Sequence, residues 1–287
     1  MKPNFLQTAY QVSGRGIGQV MLQNNALSGW LMLAGICLCS WQMGLWALGG
    51  LAVSTLSACA FGYSKEAIRN GLFGFNGLLV GLAAALFLQP GFMAVCLMIA
   101  ASVLSTVITH LFSLQHKLAG YTAPFILAVW ILLALCRHTF LPSCLQPTAE
   151  SLSTTAPLQL LPSLCHSLGQ VMFMEHLPTG LIFLLALTLH SRTSALYALW
   201  GALLSIALSG CFCIENASIN AGLMGYNGVL CAIALGEKSR AAFLKATCAI
   251  ALSVGLQWLG MHTGLITLTA PFVLSVWAVK AFDVRKK

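Results

Sequence analysis

Three kinds of uncharged polar side chain recur in pairs along an otherwise apolar chain: Gln19 with Gln170, Asn76 with Asn227, and Thr122 with Thr269. Amides and hydroxyls donate and accept hydrogen bonds without carrying a fixed charge. Such a set suits a small neutral solute, whose water it can replace without trapping an ion. The chain offers little else that could react. Its acids are Glu66, Glu150, Glu175, Glu215, Glu237 and Asp283, and all but Glu175 fall in expected loops, linker or tail. It carries no paired acids on a helix, no HExxH, no phosphate-cradling glycine loop and no nucleophile elbow. The histidines are dispersed, with His110, His116, His138, His166, His190 and His262 near expected span ends. The 11 cysteines include no CxxC. The pairs Cys37/Cys39 and Cys211/Cys213 lack nearby histidines and read as small buried hydrophobes. Neither an enzyme nor a metal or other cofactor is expected.

The polar pairs belong to a duplication. Gly71-Leu72-Phe73-Gly74-Phe75-Asn76-Gly77-Leu78-Leu79 returns 151 positions later as Gly222-Leu223-Met224-Gly225-Tyr226-Asn227-Gly228-Val229-Leu230. Gly18-Gln19-Val20-Met21, followed by Gly29, returns at the same offset as Gly169-Gln170-Val171-Met172, followed by Gly180. Thr122-Ala123-Pro124-Phe125 returns as Thr269-Ala270-Pro271-Phe272, each leading to Val-Trp at 129–130 and 276–277. A duplicated apolar chain with its polar signatures in register is the sequence pattern of a two-fold transport pathway.

The elements that position these blocks must be membrane helices. Charged residues are 7% of the chain, against about 25% in a soluble domain. Hydrophobic residues reach 59% and the mean hydropathy is +0.88. The apolar runs are long, without the alternation of a membrane β-barrel. They predict about ten crossings: 26–46, 47–63, 71–89, 92–114 and 122–141, then 178–190, 194–212, 221–236, 241–260 and 265–282. The fold class expected is an all-α polytopic membrane protein of two inverted five-helix repeats with re-entrant half-helices. The first repeat spans 1–141 and the second 169–287, joined by an extramembrane linker over 142–168 whose prolines (Pro142, Pro147, Pro157, Pro162) argue against a crossing.

With a cytoplasmic N-terminus, the inside segments hold Lys2, Arg15, Lys65, Arg69, Lys117, Arg192, Lys238, Arg240, Lys245, Lys280, Arg285, Lys286 and Lys287, leaving only Arg137 outside. That bias sets orientation, so both termini are expected in the cytoplasm of a bacterial inner membrane. An odd number of crossings per half makes the repeats inverted. The net charge of +8 reads as orientation and contact with anionic lipid, and its scatter argues against nucleic acid. No cleavable signal peptide is expected after Met1-Lys2-Pro3-Asn4, and the Asn216-Ala217-Ser218 sequon reads as a chance match.

The glycine-framed asparagine blocks predict helices that start inside the membrane and line a cavity, with Asn capping free N–H groups. The competing reading is a packing seam through Gly77 and Gly81, which have GxxxG spacing. Pro124 and Pro271 are expected to free carbonyls near 120–121 and 267–268, adding acceptors beside Thr122 and Thr269; the competing reading is a proline at a helix start.

Together these blocks, with Asn24-Asn25-Ala26-Leu27-Ser28-Gly29 and the run from Gly74 to Gly81, resemble the urea transporter family over residues 14–282. The resemblance implies one pore per protomer of a homotrimer, passing urea down its gradient without a coupled ion. It implies flat slots walled by aromatic rings, with ladders of oxygen atoms accepting the solute's N–H groups. The inner slot falls on Val20, Leu22 and Phe75 with Leu79 behind it, and the outer slot on Val171, Phe173 and Tyr226 with Leu230 behind it. The polar groups fall on Gln19, Gln170, Thr122 and Thr269. Two positions depart from the family pattern: Leu22 and Tyr226 stand where phenylalanine is common, and the Tyr226 hydroxyl needs a partner or water. Glu175 and His176 bring two ionisable groups to the expected outer mouth, read as an interfacial pair. The alternatives are a channel for short amides or ammonia, or a structural membrane protein with no solute.

Overall fold

The structure, a computed structural model, describes residues 5–115, 118–139, 141–146, 157–212 and 214–284. Lys2, His116, Lys117, Pro147, Glu150, Cys213, Arg285, Lys286 and Lys287, and the side chain of Asp283, lie outside the described residues. The chain divides into two compact units, Met1–Ser151 and Leu152–Lys287. The first contains α1 (Phe5–Gln19), α2 (Ala26–Cys39), α3 (Trp41–Ala60), α4 (Lys65–Arg69), α5 (Gly74–Phe87), α6 (Phe92–Leu114) and α7 (Ala123–His138). The second contains α8 (Leu160–Gly169), α9 (Leu177–His190), α10 (Arg192–Ser209), α11 (Asn216–Asn220), α12 (Tyr226–Leu235), α13 (Arg240–His262) and α14 (Ala270–Val284). The order is the same in both, and α6 and α13 are each 23 residues long.

The helices are built inside out. On α3 the buried positions include Gly44, Gly50 and Ser54, while Trp41, Leu45 and Leu56 stand exposed. Small and hydroxyl-bearing residues let helices approach and bond, and large apolar ones meet lipid, which is how membrane helices partition their faces. The buried polar groups follow suit: Ser54 Oγ donates to the Ser102 carbonyl at 2.9 Å, and Thr106 Oγ1 to the same carbonyl at 3.0 Å. Among the described residues, four helical segments are long and apolar enough to cross a membrane: Trp41–Ala60, Phe92–Leu114, Arg192–Phe212 and Arg240–His262. Leu160–Met172 with Leu177–His190 makes a fifth candidate, bent by 74°. The shorter apolar helices reach at most the 16 residues of Ala123–His138.

The structure differs from expectation in a helix boundary, in unexpected helices and in the cysteines. The predicted break at 46/47 lies instead at Ser40, which caps both neighbours: its N–H donates to Ile36 O at the end of α2, and its Oγ accepts from Met43 N in α3. Ser191 does the same between α9 and α10. Hydrophobicity continues across Ser40, so an apolar run cannot reveal that joint and only the cap chemistry can, whereas the polar stretch His190-Ser191-Arg192-Thr193 falls at an expected break. Four helices were not expected at all, the short α4 and α11, and then α1 and α8. The latter starts at Leu160, inside the expected linker, because Pro162 occupies the first turn, where its missing N–H has no intrahelical partner to lose. Third, Cys37, Cys39 and Cys211 are exposed, so they are not the buried hydrophobes expected; they sit on outward faces, where a lipid-facing thiol is also tolerated.

The Gly77/Gly81 block is a packing seam. A Cβ at Gly50 would meet the Gly77 carbonyl, and one at Gly77 would meet the Gly50 carbonyl and Ser54 Oγ, so α3 and α5 touch backbone to backbone. Gly201 and Gly228 repeat the contact between α10 and α12. The glycines of the expected cavity-lining block are therefore spent on helix packing.

Candidate functional site

Each unit ends its first helical segment on a strained residue. In the first, Gln23 N donates to Gly18 O at 2.9 Å and Leu22 N to Gln19 O at 3.0 Å, a Schellman closure with Leu22 in the left-handed region at φ 59°. In the second, Met174 N donates to Gly169 O and Phe173 N to Gln170 O, with Phe173 at φ 61°. Glycine is the usual occupant of that position, and a side chain there costs about 1–2 kcal/mol. Glycine does occupy the comparable turns after α4 and α11, at Gly71 and Gly222, where a Cβ would strike the backbone of Gly16 and His166. A leucine and a phenylalanine thus stand at matching left-handed positions of the two units, which makes these turns candidate functional features. Val20 and Val171 precede them and are buried.

A buried asparagine fixes the second element of each site. Asn76 lies on α5, yet its Oδ1 accepts from Phe125 N at the start of α7 at 3.2 Å. Its Nδ2 donates to Thr109 Oγ1 on α6 at 3.2 Å and to the Tyr121 carbonyl at 3.5 Å. Asn227 on α12 makes the same set: Oδ1 from Phe272 N at 3.1 Å, Nδ2 to Gln257 Oε1 on α13 at 3.1 Å and to the Leu268 carbonyl at 3.4 Å. The capping expected of these asparagines is real, but each caps a neighbouring helix, not its own. Their amides are bonded to protein, which withdraws them from the set expected to face solute.

The same brace corrects the reading of the prolines. Pro124 and Pro271 lie in the first turn of α7 and α14, so they begin helices and break none. The carbonyls expected to be freed have partners. Gly120 O accepts from Ala123 N at 2.9 Å, and Thr267 O from Ala270 N at 3.0 Å. Tyr121 and Leu268 carry those segments through a second pair of left-handed residues, at φ 45° and 48°. Thr122 and Thr269 follow directly, both buried at 3% exposure.

Phe75 and Tyr226, each 8% exposed, stand one residue before the braces, with Leu79 and Leu230 buried a turn further on. The Tyr226 hydroxyl does not look to water: it donates to the Leu268 carbonyl at 2.6 Å. Thr267 Oγ1 donates to Gln257 Oε1 at 2.8 Å, completing a network of four side chains around that carbonyl.

In the first unit these parts open onto a cavity of about 490 Å³, lined among others by Gln19, Leu22, Phe75, Thr109, Tyr121 and Pro124. Gln19 Nε2 donates to Asn70 O at 3.0 Å, which holds its amide at the wall. Three of the expected site residues, Gln19, Leu22 and Phe75, are thus brought together. In the second unit Gln170 and Phe173 are partly exposed on the turn that ends the α8 segment. Glu175 is exposed and His176 precedes α9, its Nδ1 2.9 Å from Thr179 Oγ1. Of the other described histidines, His110 stacks on Tyr63 at 3.8 Å, His166 Nδ1 meets Asn220 O at 2.7 Å and His262 stacks on Trp258, while His138 and His190 are exposed. Sequence reasoning missed Thr109, Gln257, Tyr121 and Leu268. The first two occupy the same position of equal-length helices, a signal available by aligning 92–114 with 240–262.

Among the described residues the chain is all-helical, with apolar faces outward and segments long enough to cross a bilayer, which defines an integral membrane protein. The sequence profile described as "Urea transporter" matches residues 10–283, so the chain belongs to the urea transporter family, whose members are transport proteins and not enzymes. It is 35% identical to Urea transporter 1 of Rattus norvegicus over 77% of this chain and 61% of that protein. It is 31% identical to Urea transporter 1 of Ovis aries over 96% of this chain and 77% of that protein. The chain thus spans about three fifths of the length of the rat relative.

Proposed function

We propose that this protein carries urea across a membrane by a passive, channel-like route. Two findings support the reading: its place in the urea transporter family, and the cavity that gathers Gln19, Leu22 and Phe75 beside the Asn76 brace. Urea is flat, uncharged, and carries four N–H donors and one carbonyl acceptor. A slot with apolar walls admits such a molecule edge-on and refuses a hydrated ion, which would lose its water without replacement. On this reading Val20, Leu22 and Phe75, backed by Leu79, wall one slot; Val171, Phe173 and Tyr226, backed by Leu230, wall the other. Gln19, Gln170, Thr122 and Thr269 accept the solute's N–H groups. Binding is weak, because a channel must release what it admits.

The same reading takes the units as inverted repeats of five crossings each, with re-entrant segments, both termini on the cytoplasmic side of a bacterial inner membrane, and three protomers per assembly, each with its own pore. The repeated order of elements and the one-sided cations favour it. Stopped-flow light scattering on proteoliposomes tests it: urea entry is expected to be fast and indifferent to proton or sodium gradients. Flux that collapses when either gradient is dissipated would remove the channel mechanism, and liposomes no more permeable than empty ones would remove urea as solute.

A further inference from the structure

The second unit carries a groove unconnected with the polar brace. About 690 Å³ in volume, it lies between the first turns of α10 and α13, with Tyr197 and Trp200 on one wall and Phe243 on the other. The rings are packed together, Trp200 against Phe243 at 5.3 Å and Tyr197 against Phe243 at 6.5 Å. Two hydrogen bonds hold them in place: Tyr197 OH to Glu237 O at 2.8 Å and Trp200 Nε1 to Thr247 Oγ1 at 3.2 Å. At the rim stand the cations Lys238 and Arg240, both exposed. Arg192 opens α10 at the same end, and Lys245 lies a little over one turn beyond Arg240. Glu237 is the single acid on the rim. Leu196 and Leu244, 68% and 63% exposed, continue the groove as bare apolar surface.

We propose that this groove binds one anionic phospholipid. Its parts are sorted in the order of such a molecule. Two helix N-termini and the rim cations meet the phosphate, since the positive ends of helix dipoles and Lys or Arg donors both favour an anion. The aromatic rings sit where tyrosine and tryptophan prefer to lie, at headgroup depth. The leucines below take an acyl chain. Cations outnumber the rim acid, so a zwitterionic lipid gains less than an anionic one. The corresponding stretch of the first unit is built differently. Gln89-Pro90-Gly91-Phe92 stands where Glu237-Lys238-Ser239-Arg240 stands, and Gln89 N is taken by Cys144 O at 2.7 Å. The site belongs to one unit only, and it holds whether or not urea is the solute.

Native mass spectrometry of the detergent-purified full chain, given equal amounts of phosphatidylglycerol and phosphatidylcholine, reads the site directly. The parent is expected to retain phosphatidylglycerol in preference. The Lys238→Gln/Arg240→Gln variant is expected to lose that preference by about thirtyfold, each cation near an anionic surface contributing about fivefold. A control pair removing as much charge elsewhere, Lys65→Gln/Lys280→Gln, is expected to leave it intact, and millimolar inorganic phosphate is expected not to displace the lipid. Equal retention of both lipids by the parent would overturn the site. So would equal loss in the control pair, which points to diffuse attraction, or displacement by phosphate, which points to a free anion as the ligand. All the substituted residues are exposed, so folding is not at stake, and matched elution on size exclusion verifies it.

Discussion

The braces of the two units do the same work with different margins. In the first, Asn76 joins α5, α6 and α7, and its bond to the Tyr121 carbonyl is long, at 3.5 Å. In the second, Asn227 shares the task with Tyr226, Gln257 and Thr267, and the Leu268 carbonyl takes a 2.6 Å bond from the tyrosine besides the asparagine's. Three positions differ, Phe75 against Tyr226, Thr109 against Gln257 and Gly120 against Thr267, and the tyrosine hydroxyl, glutamine amide and threonine hydroxyl extend the second brace into a network. Duplicated sequence thus preserves geometry while letting the reinforcement drift, and the two halves should fail differently when the same residue is removed.

The largest effect is expected from the asparagines. Asn76→Ala removes the bonds of Asn76 to Phe125 N and Thr109 Oγ1, each worth about 1 kcal/mol. Asn227→Ala does the same at Phe272, but the Leu268 carbonyl keeps Tyr226 and Gln257 Oε1 keeps Thr267. Both should lower the unfolding temperature in detergent, Asn76→Ala by more; equal losses would break the comparison. Next come the threonines. Thr122→Val or Thr269→Val removes an acceptor from the proposed path, and an unpaired urea N–H there should slow flux roughly ten- to a hundredfold. Thr→Ser should restore most of it, and parental flux in both valine variants at matched protein density would end the acceptor assignment. Phe75→Ala should leave urea entry within a few fold of the parent while relaxing exclusion of methylated amides, read as the methylurea-to-urea ratio. The smallest effect belongs to Tyr226→Phe, which makes the second brace more like the first. It should cost about 1 kcal/mol of stability, the usual worth of one hydrogen bond, with urea flux little altered. A loss as large as that of Asn76→Ala would mean that the tyrosine, not the asparagine, carries the second brace.

Much of this was legible from residues alone. The helical class, the duplication, and the stretches near 92–114 and 240–262 follow from composition and recurrence, because burial in lipid leaves few alternatives for an apolar run. The helix boundary at Ser40 and the helix at Leu160 were hidden, since both depend on a cap or a first-turn proline that the surrounding hydrophobicity masks. The site was legible in part. Phe75 and Tyr226 stand next to repeated asparagines, and Gln19 and Leu22 next to a repeated Gly-Gln. The left-handed Leu22, Tyr121, Phe173 and Leu268 were not, because nothing in a leucine or tyrosine announces a positive φ. Nor could the sequence say that Asn76 and Asn227 would cap helices 49 and 45 residues away, a partnership that only packing creates.

Ser40 and Ser191 carry a mechanical implication. Each is the whole of the connection between two helices, and its backbone and side chain are committed to both. A joint of one residue leaves only its own φ and ψ to turn about, and at each serine the N–H and the Oγ are already bonded, one to each helix. Changing the angle between α2 and α3, or between α9 and α10, therefore costs cap hydrogen bonds as well as a backbone rotation. On the second of these elbows the far end of α9 begins just beyond the left-handed Phe173.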